Sequence, residues 1–475
     1  MKVLRVGTLS SIAKIDPRDA ADNISGMVLE QIFEPPYILP AGEAAVRPHL
    51  LEPLRAEGRL QYSAAVRNGA RFSDGTAVTA DIVARSLRST KALLNKAIVD
   101  VSGDRVWFTL SAANPRFDLT LTQSTCSIVL DRGTQLLGTG PFMFDQRPNV
   151  KLLQKEANLR LVRNPHHAQG NGPANGIDEL LFRVYPAESD GTPQKLMEAL
   201  SHGEIDVTNV LTMAQLTAHA IPGVSPSVQP GNSTGILFFN TERHSLASAT
   251  VRRAVVLALE PNEIAAASYD KNPVAFVAPT LLPPMMGRST GLPITDREAA
   301  RRLLAGSNGS KPSRLSLLVP WAPRPYLPKP RPVATAIAQQ LAAVGIAIDI
   351  VQPATGEEFF NDLDRGNFDL ALAGWIADTP DPADFFEALL WSKACEGDNR
   401  TNSSRWKHPV TDAALMQFRE YPTEENKREI HRLVREEAPL VPLIYGQSIV
   451  VHSRKVRNVS VSATGMLSLA GVTIM

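Results

Sequence analysis

Between residues 314 and 375 strand-like and helix-like segments alternate with short connections, and no other stretch limits the fold as strongly. Residues 314–319 read as a strand, 332–344 as a helix ended by Gly345, and 346–351 as a second strand. Residues 357–364 are then helical, and 368–373 return as a strand running into Gly374-Trp375. This β-α-β-α-β succession predicts one half of a doubly wound sheet, in which ligands sit beyond the carboxyl ends of the strands. Two signatures fall at such ends: Trp321-Ala-Pro-Arg324-Pro-Tyr326, and Gly374-Trp375-Ile376-Ala377-Asp378 followed by Pro380-Asp381-Pro382. An arginine and an aspartate, each beside an aromatic ring, are what a pocket needs to grip both ends of a zwitterion such as a short peptide.

The same alternation runs through the rest of the chain and predicts an α/β architecture. Residues 60–70 read as strand and turn and 106–110 as a strand; between them Ser73-Asp74-Gly75-Thr76 forms a tight turn and Thr79 caps a helix over 80–94. A strand over 180–185 leads to a helix over 192–201 with Pro193 in its first turn, and Gly203-Glu204-Ile205-Asp206-Val207 drops into the next strand. A buried strand over 236–241 precedes a helix over 249–259 with Arg252 and Arg253 expected on one side. At 475 residues the chain exceeds one compact core. The turn-rich stretch 222–235 is the expected boundary between lobes.

Composition narrows the function classes. With 49 basic and 48 acidic side chains the formal charge is +1, so no electrostatic footprint for nucleic acid or an anionic membrane exists. The longest apolar run, 438–451, is broken by Pro439, Pro442, Gly446 and Gln447, and no membrane span is expected. Met1-Lys2 leads straight into a strand-like segment without the pattern of an export signal, which leaves a mature start or a cytoplasmic protein as alternatives. Cys126 and Cys395, the two cysteines, are far apart and outside any Cys-x-x-Cys pair, and are expected as unpaired thiols.

Catalytic and metal motifs fail on their context. Gly138-Thr139-Gly140-Pro141-Phe142 lacks the Gly-Lys-Ser/Thr of a phosphate loop, and Gly231-Asn-Ser233-Thr-Gly235 is followed by a strand where a nucleophile elbow needs a helix. His166-His167 reads as a surface loop, since adjacent residues on an extended segment point to opposite faces. Asp381 is expected to cap the helix that begins before Phe385-Phe386. No enzyme, cofactor or metal site is expected.

A series of motifs in register over nearly the whole chain resembles the extracellular solute-binding proteins of family 5, the peptide, dipeptide and nickel receptors of ABC importers. It comprises Ile15-Asp16-Pro17, Phe33-Glu34, the run from Val66 to Asp81, Gly138-Thr139-Gly140-Pro141-Phe142, Arg163-Asn164-Pro165, Gly203-Glu204-Ile205-Asp206, Phe239-Asn240-Thr241, Val251-Arg252-Arg253-Ala254, Asp296 to Leu304, Trp375 to Pro382, and Ala438 to Leu443. The resemblance implies a two-lobed α/β binding-protein fold with an extra subdomain. Its first lobe would be 1–235 plus 447–475, with the subdomain at about 41–148, and its second lobe 236–446. It also implies that Arg324 binds a ligand carboxylate, Asp378 binds an α-ammonium, and Trp375 and Tyr326 wall the pocket. The implied role is a monomeric, non-enzymatic component of the periplasm or cell envelope that captures a short peptide and presents it to an ABC permease. A cytoplasmic sensor using the same cleft is the alternative. Dipeptide receptors of this kind carry a disulfide whose first cysteine resembles Cys395, but Lys407 stands where its partner would follow.

Overall fold

The strand Arg314–Leu318 pairs in parallel with Ala347–Val351 on one side and Leu370–Ile376 on the other. The helices Pro330–Ala342 and Gly356–Arg365 supply the two crossovers, as the doubly wound pattern requires. Pro330 and Pro332 both fit the first turn, where a missing N–H costs nothing, so the helix starts two residues earlier than its sequence pattern indicates. Gly345, at φ +85°, ends the connection into the next strand. The computed structural model describes residues 2–475 except 21–22, 41–44, 134, 146–157, 168–175, 189–191, 213–214, 217–220, 270–272, 287–293, 308–310, 378–380, 398–399, 462–465 and 470. Among the described residues no helix is long and apolar enough to cross a membrane.

Contacts divide the chain into two units, Met1–Val228 with Ser448–Met475, and Gln229–Gln447. In the second unit the 233–239 part of the strand Val224–Phe239 runs antiparallel to Leu370–Ile376, from Ser233 opposite Ile376 to Phe239 opposite Leu370, and the strand Leu440–Ser453 is its other neighbour. A core of Ile236, Phe238, Phe359, Phe368, Phe385, Phe386, Leu389 and Phe418 fills one face of this sheet. Arg252 and Arg253 do not share a side of their helix: Arg252 is buried and Arg253 exposed, because adjacent helical residues lie about 100° apart.

In the first unit Val3–Thr8 lies parallel to Glu179–Val184 and to Val207–Thr208, and Asn158–Arg163 and Phe142–Phe144 extend the sheet antiparallel. A separate core containing Tyr37, Phe72, Val83, Leu87, Phe108 and Phe117 is built on a sheet in the order Arg55–Ala56, Gln61–Ala65, Arg105–Leu110, Ala97–Ser102. Thr79 caps the helix Ala80–Arg88 as its sequence indicates. The helix stops well short of 94, because Ser89 and Thr90 turn their hydroxyls to the carbonyls of Ser86 and Thr125.

The glycines of Gly138-Thr139-Gly140 serve packing. A Cβ at either would run into the backbone of Ile32, so the segment can lie against that turn only as glycine. Thr139 Oγ1 donates to Glu34 Oε2 at 2.8 Å, and the Nε2 atoms of His49 and His167 lie 3.0 and 3.1 Å from Glu34 Oε1. The pair does sit in a turn with His166 exposed, but the His167 side chain is 7% exposed and packs inward on the carboxylate. The alternation argument for His166-His167 separates the two rings correctly but cannot see a buried carboxylate on another segment.

Candidate functional site

Three glycines on adjacent strands of the second unit, Gly235, Gly374 and Gly446, leave the sheet bare where the 324–327 turn lies on it. Gly235 and Gly374 are directly opposite in the antiparallel ladder. A Cβ on Gly374 would stand 2.5 Å from the Tyr326 ring, while one on Gly235 or Gly446 would meet the carbonyl of Tyr326 or Pro325. The turn closes on itself through Arg324 N–H to Leu327 O at 3.0 Å and Leu327 N–H to Arg324 O at 2.9 Å. Tyr326 is 6% exposed, and burial pushes its hydroxyl above its usual pKa, partly offset by the neighbouring Arg324.

This turn holds up a guanidinium. Arg324 Cζ sits 4.9 Å from the Trp321 ring centre and 5.9 Å from that of Tyr326, a double cation–π arrangement. Its Nε is buried and has no hydrogen-bond partner among the described residues, and no carboxylate lies within ion-pair distance of it among them. Trp321 is itself fixed. Gly356 at the start of its helix leaves room for the indole, where a Cβ would come within 2.8 Å, and Phe359 and Phe360 meet it at centroid distances of 5.8 and 5.7 Å. A partly buried guanidinium stacked on two aromatic rings keeps N–H donors with the geometry to hold an anion.

The signature at 374–381 divides between strand and helix. Gly374 and Trp375 lie within Leu370–Ile376 rather than beyond it. Strand alternation turns the half-buried Trp375 to the core face, alongside Ala373 and Ala377, and away from the face on which Tyr326 lies against Gly374. The strand is pinned at its end by Ala377 N–H to Asn232 O at 2.8 Å. Asp381 caps Pro382–Leu390 through Ala383 N–H at 2.9 Å, as its sequence position indicates. Asp378 lies outside the described residues. Thus Arg324 and Tyr326 share one turn, while Trp375 faces away from the Tyr326 side of the strand and packs, like Trp321, against the core cluster of Phe359 and Phe385. Trp321 and Phe360, which carry no assigned role in the sequence reading, are the aromatics that continue the arginine stack; the adjacency of Trp321 to Arg324 in one turn was the available signal.

Cys126 and Cys395 are both free and buried. Lys407 Nζ instead pairs with Glu396 Oε1 at 2.9 Å, next to Cys395. Among the described residues no cluster of three or more His, Cys, Asp or Glu is set to hold a metal ion.

Comparison with known proteins agrees with this architecture. Residues 45–394 match the model for the bacterial extracellular solute-binding proteins, family 5 (middle region). The peptide transport periplasmic protein SapA of Salmonella typhimurium is 27% identical over 352 residues, covering 73% of this chain and 60% of SapA. Di/tripeptide-binding protein 3 of Pseudomonas aeruginosa is 23% identical over 391 residues, covering 78% of this chain and 70% of that protein. The chain thus spans about 60% of the length of SapA. The structure of HbpA2 from Haemophilus parasuis superposes with a TM-score of 0.84 at 21% identity, over 100% of both chains, which establishes the two-lobed fold. A family match across most of the chain and this shared fold make the chain a member of the bacterial extracellular solute-binding proteins, family 5.

Proposed function

We propose that this protein is the substrate-binding component of an ABC-type importer, capturing a short peptide or similar zwitterion and delivering it to a permease. The observation that carries the reading is Arg324: a guanidinium stacked on Trp321 and Tyr326, with a buried, unpartnered Nε and no internal carboxylate among the described residues. Arg324 takes the ligand carboxylate through its fork of N–H donors, and Asp378, two residues beyond the strand end at Ile376, takes the ammonium. Tyr326 backs the arginine, and Trp375 contributes apolar contact. The role is capture rather than catalysis, and the peptide receptors among its relatives support that class of solute.

The test is calorimetric titration of a dipeptide library against the wild type, Arg324→Ala and Asp378→Ala. Each substitution should weaken binding by at least about tenfold, the scale of a lost charge-assisted hydrogen bond. Dipeptide binding that is unchanged in both variants overturns the site assignment.

A further inference from the structure

The aromatic stack under Arg324 does not end in the core. Phe359 is buried at 1% exposure, but its neighbour Phe360 is 44% exposed while still meeting Trp321 edge-on. Phe359 and Phe360 also meet each other edge to face, at a centroid distance of 5.3 Å and an interplanar angle of 77°. The helix that carries them is fixed at both ends, by the Thr355–Glu358 capping box and by Gly366 in the left-handed region at φ +71°. Phe360 and the Arg324 guanidinium therefore pack on the same fixed indole, one apolar and exposed, the other cationic. The exposed Phe360 ring and the Arg324 guanidinium are thus separated by a single indole, at 5.7 and 4.9 Å from its centre.

We infer that Phe360, seated on Trp321, is a specificity-determining residue that selects solutes bearing an apolar or aromatic group next to the carboxylate. For a peptide this is the C-terminal side chain. The inference rests on the carboxylate role of Arg324 and deepens it by naming the solute class.

The position of the group is tested with isomeric dipeptides, which differ in nothing but order. Ala-Ala, Ala-Phe and Phe-Ala are titrated calorimetrically into the wild type and Phe360→Ala; the site is exposed and alanine is a strong helix former, so the variant keeps its helix. The wild type should bind Ala-Phe about tenfold more tightly than Ala-Ala, the scale of one buried aromatic contact. Phe360→Ala should remove most of that preference and change Ala-Ala and Phe-Ala by less than about twofold. Equal wild-type affinities for Ala-Ala and Ala-Phe overturn the inference, as does a variant that weakens all three peptides alike or Phe-Ala alone. If dipeptides bind through Arg324 without dependence on Phe360, this inference alone falls. If no dipeptide binds the wild type, the carboxylate reading falls and takes this one with it.

Discussion

Glu34 in the first unit gathers polar contacts from three separate segments. Burial alone would raise its pKa, but hydrogen bonds from His167 and His49 outweigh it and hold the carboxyl at about 2, below its ordinary 4.5. A carboxylate with a depressed folded pKa stabilises the fold fully above 4.5, and that contribution is lost as pH falls from 4.5 towards 2. Glu34→Gln should therefore lower stability at pH 7 by about 1.5–3 kcal/mol, the scale of hydrogen bonds to a charged group. Urea denaturation checks this, and the wild-type loss of stability between pH 4.5 and 2 should flatten in the variant. In the second unit Arg252, 2% exposed, donates to the carbonyls of Leu246, Ala247, Glu437 and Ala438, and so caps a helix whose last residue precedes Ala438 in the left-handed region at φ 45°. Arg252→Met fills the space but strands those carbonyls, and it should cost about 2–3 kcal/mol in the same measurement.

At the scale of elements, the site depends on glycines that make room rather than turns. Gly374→Ala would drive a methyl into the Tyr326 ring and lift the 324–327 turn from its sheet, at roughly 1–3 kcal/mol of overpacking. Thermal unfolding should register that loss, and dipeptide affinity should fall with it, whereas an alanine at the open Gly58 should leave affinity unchanged. The helix Gly356–Arg365 is similarly tuned. Thr355 accepts from Glu358 N–H at 3.2 Å while the Glu358 carboxylate accepts from Thr355 N–H at 3.3 Å. Thr355→Ala should cost about 1 kcal/mol of stability by removing one side of that box, measurable by chemical denaturation.

At the scale of the whole molecule, ligand capture must appear as stabilisation, because a solute that binds only the folded protein shifts the unfolding equilibrium by mass action. At a free ligand concentration of about one hundred times Kd the gain is about 2.7 kcal/mol. A thermal-shift assay should therefore show the melting temperature rising with dipeptide concentration in the wild type and not in Arg324→Ala. A wild-type melting temperature independent of every dipeptide would oppose a capture role.

The sequence by itself determined the elements around the site. Periodicity and punctuation marked the strands near 314, 347 and 370 and the two helices between them, and local capping signals marked Thr79 and Asp381, because these features depend on neighbours a few residues away. The family was legible too, through short motifs kept in order along the chain. Tertiary structure alone decided which groups meet. Glu34, His49, Thr139 and His167 come from four separated segments, and Gly235, Gly374 and Gly446 from three strands, so no local pattern announces either set. The same holds for the aromatic partners of Arg324. Trp321 is held beneath the guanidinium by a helix that begins more than thirty residues later at Gly356. Burial and hydrogen bonding between distant segments, rather than sequence spacing, put the positive end of the candidate site where it is.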